Sequence, residues 1–186
     1  MMKKAIRTSR ALALLGVMTA ASASHAGGVA FRFGDDSLGF SVAGNLSAET
    51  SGQFDWLHRD DDNADMVATG LFANGKRGSL TGRMGVKAVG LIGDNTDYSG
   101  AALAFGGDLA LPLNDMLRLR GGVFYAPGTT SFSDVDGFRE ASASLEFNLF
   151  QNSAIELGVA QIRFEDQRGR KFEFDDGLFL RLQLRL

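Results

Sequence analysis

Cysteine is missing from this sequence of 186 residues. Its absence excludes disulfides, thiolate metal sites and a cysteine nucleophile, so the folded chain must rest on burial and backbone pairing. Proline is scarce, two residues beside 24 glycines, a balance that suits closed antiparallel sheet better than helix. Long apolar runs are missing too. The segment 11–23 holds about 13 residues, against the roughly 20 that a membrane-spanning helix needs. A basic excess is also absent. Nineteen Lys and Arg face 22 Asp and Glu, net −3, which argues against nucleic acid as a partner. No glycine-rich phosphate loop, zinc-ligand spacing or nucleophile elbow occurs, so neither a cofactor nor a metal is expected.

What is present begins with a signal peptide. Lys3, Lys4, Arg7 and Arg10 form a positive start, 11–23 is the short apolar stretch, and Ser24-His25-Ala26 ends in small residues. Cleavage after Ala26 is expected. The remainder, 27–186, is one domain's worth of chain. It is more acidic than the whole, because the lost segment carries basic residues and no acid.

The period of the remaining sequence is two, not 3.6. The last stretch, 171–186, is the clearest case. Its even positions read Phe172, Phe174, Asp176, Leu178, Leu180, Leu182, Leu184 and Leu186. Its odd positions read Glu173, Asp175, Gly177, Phe179, Arg181, Gln183 and Arg185. Side chains alternate faces along a strand, so one face is nearly all leucine and the other mostly polar. A strand of this kind, with the sequence ending on it, reads as one that crosses a membrane with its apolar side toward lipid.

The same alternation recurs along the chain. Residues 29–33 and 38–42 pair apolar with apolar around Asp35-Asp36: Phe33 with Leu38, Phe31 with Phe40, Val29 with Val42. Across a bend at 47–51, Val42 is expected to face Trp56, and Gly44 to face Phe54. The Asn74-Gly75 pair predicts a tight turn over 74–77. In 154–165 the apolar positions change parity between Val159 and Ile162, which predicts a β-bulge near Ala160-Gln161. Residues 127–137 are expected to be the longest loop. The count is ten strands, or eight if residues before about 50 lie outside the barrel or merge into one long strand. Turns at 47–51, 74–77, 112–115 and 151–153 are short. Those at 60–65, 93–97, 127–137 and 166–170 are mostly longer and more charged. The expected fold is an all-β, antiparallel up-and-down transmembrane barrel of ten strands, with short turns on the periplasmic side.

In such a barrel the charged faces turn inward. Arg83, Lys87, Asp108, Arg118, Arg120, Glu140, Glu146, Glu156, Arg181 and Arg185 are the expected lumen-facing charges, with Asp55, Glu173 and Asp175 beside them. Inside a narrow barrel they must be paired or hydrated, since an unpaired buried charge costs several kcal/mol. They form either a salt-bridged plug or the lining of a narrow pore. Gly100, Ala102, Ala104 and Gly106 leave room along one wall. Trp56, Tyr98, Tyr125, Phe138, Phe164, Phe172 and Phe174 lie near the longer loops, as an outer aromatic girdle would,.

His58 is the only histidine after residue 26, and it precedes Asp60-Asp61-Asp62. A histidine beside carboxylates can act as a general base. Here it shares a face with Phe54 and Trp56, which points it toward headgroups rather than a lumen. The acidic run 60–65 superficially resembles a calcium loop but lacks the glycine and the distant glutamate. It could bridge a divalent cation to anionic lipid.

The run Leu57-His58-Arg59-Asp60-Asp61-Asp62, the stretch Ala102-Leu103-Ala104-Phe105-Gly106-Gly107, Phe124-Tyr125-Ala126-Pro127 with Ser131-Phe132-Ser133-Asp134, and 172–177 resemble the YfaZ family of predicted outer-membrane proteins of Gram-negative bacteria. Two departures are Gly158-Val159-Ala160, where relatives tend to have Gly-Tyr-Arg, and the terminal Leu186, where an aromatic is favoured. The resemblance implies a barrel in the outer membrane, sometimes called porin-like, and carries no catalytic residues. The expected function is structural, in the envelope, or that of a narrow pore, without catalysis. The surroundings are outer-membrane lipid and lipopolysaccharide, the last strand is read by the insertion machinery, and the protein is a monomer. Two other classes compete: a rim hydrolase using His58, and a soluble periplasmic barrel with the leucine face inward around a small apolar ligand.

Overall fold

The computed structural model describes residues 27–93 and 99–186. The expected signal segment 1–26 and Tyr98 of the expected girdle lie outside the described residues. The strands are β1 (Gly27–Gly34), β2 (Ser37–Asn45), β3 (Thr50–Arg59), β4 (Ala64–Arg77), β5 (Leu80–Gly93), β6 (Gly100–Pro112), β7 (Leu117–Ala126), β8 (Ser131–Ser133), β9 (Val135–Phe150), β10 (Ser153–Asp166) and β11 (Lys171–Arg185). All but β8 form one closed antiparallel ring of ten, in the order β1-β2-β3-β4-β5-β6-β7-β9-β10-β11, sealed where β1 pairs with β11. Closure leaves no unpaired edge in the wall. The first hairpin belongs to the ring, which makes the barrel ten-stranded and not eight-stranded.

The first hairpin pairs Phe33 with Leu38, Phe31 with Phe40 and Val29 with Val42, in the register that their side chains predict. The next hairpin is slipped by two residues from expectation. Val42 faces Phe54, Phe40 faces Trp56 and Gly44 faces Gly52. The cause is the turn: Ser47 Oγ accepts the N–H groups of Glu49 and Thr50, which centres the bend one residue earlier than 47–51. The expected turn at 74–77 is strand instead. Arg77 pairs with Leu80, and the chain reverses at Gly78, whose φ of +62° is a conformation that glycine adopts without steric cost,. Asn74 stays in β4 and accepts a hydrogen bond from Ser51 Oγ at 2.8 Å. Most of the expected loop 127–137 is ordered: a 3-10 turn at Gly128–Thr130 leads into β8, which pairs with β6 above the point where β7 ends.

Parity sorts the side chains, and the bulge is not where the sequence placed it. Strand β10 alternates without interruption, burying Ala154, Glu156, Ala160, Ile162 and Phe164 on one face. The irregularity sits in β11, where the register against β10 jumps from Asp175 to Glu173 and skips Phe174. Phe174 and Asp175 are consequently both buried. Below the bulge Asp175, Phe179, Arg181, Gln183 and Arg185 face inward while Leu178, Leu180, Leu182 and Leu184 are exposed outside. Above it the faces exchange, so Glu173 is exposed and pairs outside with Arg163, contrary to its expected inward placement.

The outward leucines overturn the soluble-barrel alternative, which needed them inside. From Leu178 to Leu186 the outward apolar positions cover eight residue steps. That is about 26 Å of strand and roughly 20 Å across the wall at a tilt near 40°, close to the band height of membrane barrels. Phe31, Phe33, Leu71, Met84, Phe105, Leu109, Leu119, Val123, Leu145, Phe147 and Leu157 continue this exposed belt around the other strands.

On the loop side of the belt the polarity inverts. One rung holds Ala141, Gln161 and Asp176; the next holds Arg139, Arg163 and Glu173. Outward side chains there are polar, with Arg163 bonded to Asp176 at 3.2 Å and Glu173 at 2.8 Å. Inward there, beside Glu140 and Asp175, stand the apolar Ile162, Phe138, Phe164 and Phe174. This is why three expected girdle residues, Phe138, Phe164 and Phe174, are buried at 1–2% exposure and not turned outward. They stand above the lipid band, where the sheet obeys the ordinary soluble pattern of apolar inside and polar outside.

Candidate functional site

The interior is built in three levels. At the short-turn end lie the arginines. Arg83 Nε donates to Asp108 Oδ2 at 2.7 Å between neighbouring strands. Glu146, wholly buried, accepts from Arg118, Arg120 and Arg185 at 2.8–2.9 Å. Glu156 accepts from Arg181 at 3.1 Å, Gln183 at 2.6 Å and Ser144 at 2.6 Å, with Arg120 at 3.7 Å. One wall, β7 with β9 to β11, carries most of this network. Inward alternation on each strand places every member, and antiparallel pairing brings Arg118 beside Glu146 and Glu156 beside Arg181.

The middle level is a bridge across the lumen. Lys87 of β5 is buried and donates to Glu140 of β9 at 2.8 Å. Asp55 of β3 stands 4.0 Å away on the other side. Its ammonium lies 4.1 Å from the centre of the Phe124 ring, near enough for a cation–π contact. Strands β3 and β9 are half a turn of the barrel apart, so this one side chain ties opposite walls together.

Toward the longer loops the interior is mostly apolar. Leu57, Met66 and Ile162 form the ceiling of a polar cavity of about 180 Å³. Above and beside them pack Leu91, Phe124, Phe138, Phe164 and Phe174, with Phe138 and Phe164 rings 5.0 Å apart. The small inward residues of β6 are packed over: Ala102 and Ala104 are buried, and a Cβ at Gly106 would meet the Val123 carbonyl and the Phe124 ring. The aromatic ring occupies the space that the small residues vacate.

Arg32 is an interior residue that the list of expected charges left out. It donates to Asp175, which also accepts from Ser37, and stacks 4.3 Å from the Phe179 ring centre. Its signal was present in its position opposite Gly39, on the polar face of the first hairpin. Its partner was hidden, because Asp175 reaches it only through ring closure and the β11 bulge.

Outside, Trp56 stacks with His58 at 6.1 Å, and Tyr125 is exposed with Arg139 5.4 Å away. Phe172, expected in the girdle, instead shares the inward rung of Phe164 and is half-buried against the interior cluster. His58 contacts Asp65 through Nδ1 at 3.0 Å and Asp60 through Nε2 at 3.3 Å. It lies on the outer surface, away from the interior cavity. In the acidic loop, Arg59 reaches Asp62 at 3.4 Å and Asp61 at 4.0 Å, so a protein cation already balances part of it.

The family model described as YfaZ precursor matches residues 2–186. No curated protein matches the chain. Among solved structures it is similar to the outer-membrane channel DcaP of Acinetobacter baumannii, with 13% identity and TM-score 0.42, over 84% of this chain and 54% of that one. The chain thus spans about half the length of that channel. It is also similar to the KdgM porin solved with disordered oligogalacturonate, at 9% identity and TM-score 0.45, covering 87% and 98% of the two chains. With the NanC porin the identity is 10% and the TM-score 0.43, over 85% and 97%.

Proposed function

The chain belongs to the YfaZ precursor family, and from that premise we propose that it is exported, loses residues 1–26 and sits in the bacterial outer membrane as a barrel that rests closed. Its role in this reading is structural, in the envelope, and not catalytic. The apolar belt supports the lipid setting, with lipopolysaccharide around the loop side. The regular leucine face of β11 suits recognition by the insertion machinery, and the sealed ring suits a monomer. His58 faces outward, stacked on Trp56 and paired with Asp60 and Asp65, and it does not line the interior cavity, which favours a structural rim over a hydrolase.

The observation that carries closure is Lys87 spanning the lumen beneath an apolar ceiling. A hydrated path for ions would have to break a buried ion pair and pass between packed phenylalanines, and breaking such a pair costs about 3–5 kcal/mol. Planar-bilayer recording tests this. The wild type is expected to be silent, and Lys87→Ala, which unties the walls and leaves Asp55 and Glu140 to repel, is expected to show intermittent steps. Regular conductance steps from the wild type would replace this reading with the narrow pore.

A further inference from the structure

The charges at the short-turn end do not balance. The mouth and the lower part of the cavity behind it are lined by Lys76, Arg83, Arg120, Arg181 and Arg185, and Arg118 stands beside them on Glu146. At this end three carboxylates face them, Asp108, Glu146 and Glu156, while Asp55 and Glu140, higher in the cavity, flank Lys87. Three arginines converge on Glu146, and Glu156, 3.7 Å from Arg120, is shared with Arg181. Lys76 has no carboxylate partner among the described residues. Glu49 and Asp115 lie exposed in the turns outside the mouth and, among the described residues, form no ion pair with these cations. The excess of three positive charges is the more telling because the whole sequence is net −3.

Such an excess is costly where the wall is set in lipid. Like charges in a confined, poorly screened space repel, and a cavity lined by one sign concentrates counter-ions. Guanidinium groups present paired N–H donors that fit the oxygens of carboxylate or phosphate. The mouth opens into a cleft of about 480 Å³ shared by Lys76, Arg83 and Arg120, and Arg83 and Arg120 also line the inner cavity. These cations therefore stand along one continuous entry.

We infer that this vestibule is a binding site for a small multivalent oxyanion, of the carboxylate or phosphate kind, which enters from the short-turn side and lodges between Lys76, Arg83 and Arg120. The inference uses the proposed membrane setting only for the low-dielectric wall. It does not need the lumen to be closed.

Calorimetric titration of the full folded protein in detergent, at low ionic strength, with pyrophosphate as probe and a neutral sugar as control, tests it. Saturable 1:1 binding of pyrophosphate is expected, lost as sodium chloride is raised. Arg120→Gln is expected to weaken it about tenfold or more, and leaves no carboxylate unpaired because Glu146 keeps Arg118 and Arg185. Lys76→Gln, at the exposed rim, serves if Arg120→Gln fails to fold, with a weakening of about threefold. Absence of saturable heat, equal binding in the foldable variants, or chloride binding as well as pyrophosphate (an adventitious counter-ion only) would overturn the site. A conducting wild type would defeat the closed-barrel reading and leave this titration unaffected.

Discussion

Lys87 Nζ lies 2.8 Å from Glu140 Oε2 although their strands are three places apart around the ring. This contact, with Asp55 on the opposite wall, converts a cylinder of paired strands into a braced one. Lys87→Met keeps the stem and removes the charge. It strands two carboxylates, and is expected to lower stability in detergent by about 3–5 kcal/mol. Adding Glu140→Gln should recover much of that loss. Urea titration of the folded band checks both. A double variant no more stable than Lys87→Met would mean that the bridge does not carry the effect.

The belt has an edge, and its position is testable. Leu182 lies within the outward leucine run and Gln161 on the rung where polarity inverts. Leu182→Arg is expected to cost about 2–4 kcal/mol on transfer into lipid. Gln161→Arg should fold into vesicles about as well as the wild type. Equal penalties at the two positions would move the boundary.

Alternation in the sequence is enough to read the barrel, because a period of two is a local property and each strand states it independently. The first hairpin register followed from three apolar pairs. What alternation cannot state is which face is outside at a given height. Phe138 and Phe164 share parity with inward residues in the structure, yet apolar character near a loop also fits a girdle. Only their height above the Ala141–Gln161–Asp176 rung decides. The β11 bulge was illegible for a related reason. Phe172, Phe174 and the leucines share even positions, so the sequence shows no parity change where the backbone makes one. Ring closure supplies the rest: Arg32 meets Asp175 across a sequence separation of 143 residues.

Phe164 is the centre of the upper cluster, in contact with Phe138 at 5.0 Å and Phe174 at 6.3 Å between ring centres. Phe164→Ala should leave a cavity and cost about 3–5 kcal/mol. Phe150→Ala, at an exposed position, should cost far less. Unfolding midpoints of the two variants check the contrast, and similar values would place Phe164 outside a packed core.

Glu146 holds three arginines with no exposure to solvent. Glu146→Gln keeps the shape and removes the charge that offsets them. Its stability is expected to fall at low salt and to recover as salt is added, since screening replaces the lost carboxylate. The wild type should show a weaker dependence. Thermal melts across a salt series measure this, and parallel behaviour of the two proteins would contradict the shared-carboxylate arrangement.

The most direct test of the central claim, a barrel folded through the outer membrane, is fractionation of cells expressing the protein, followed by gel electrophoresis in SDS with and without boiling. The expected result is recovery in the outer-membrane fraction with a band that changes mobility on heating, because a closed ring of ten paired strands resists SDS until it is melted. Recovery in the soluble periplasmic fraction, with one mobility before and after boiling, would contradict it.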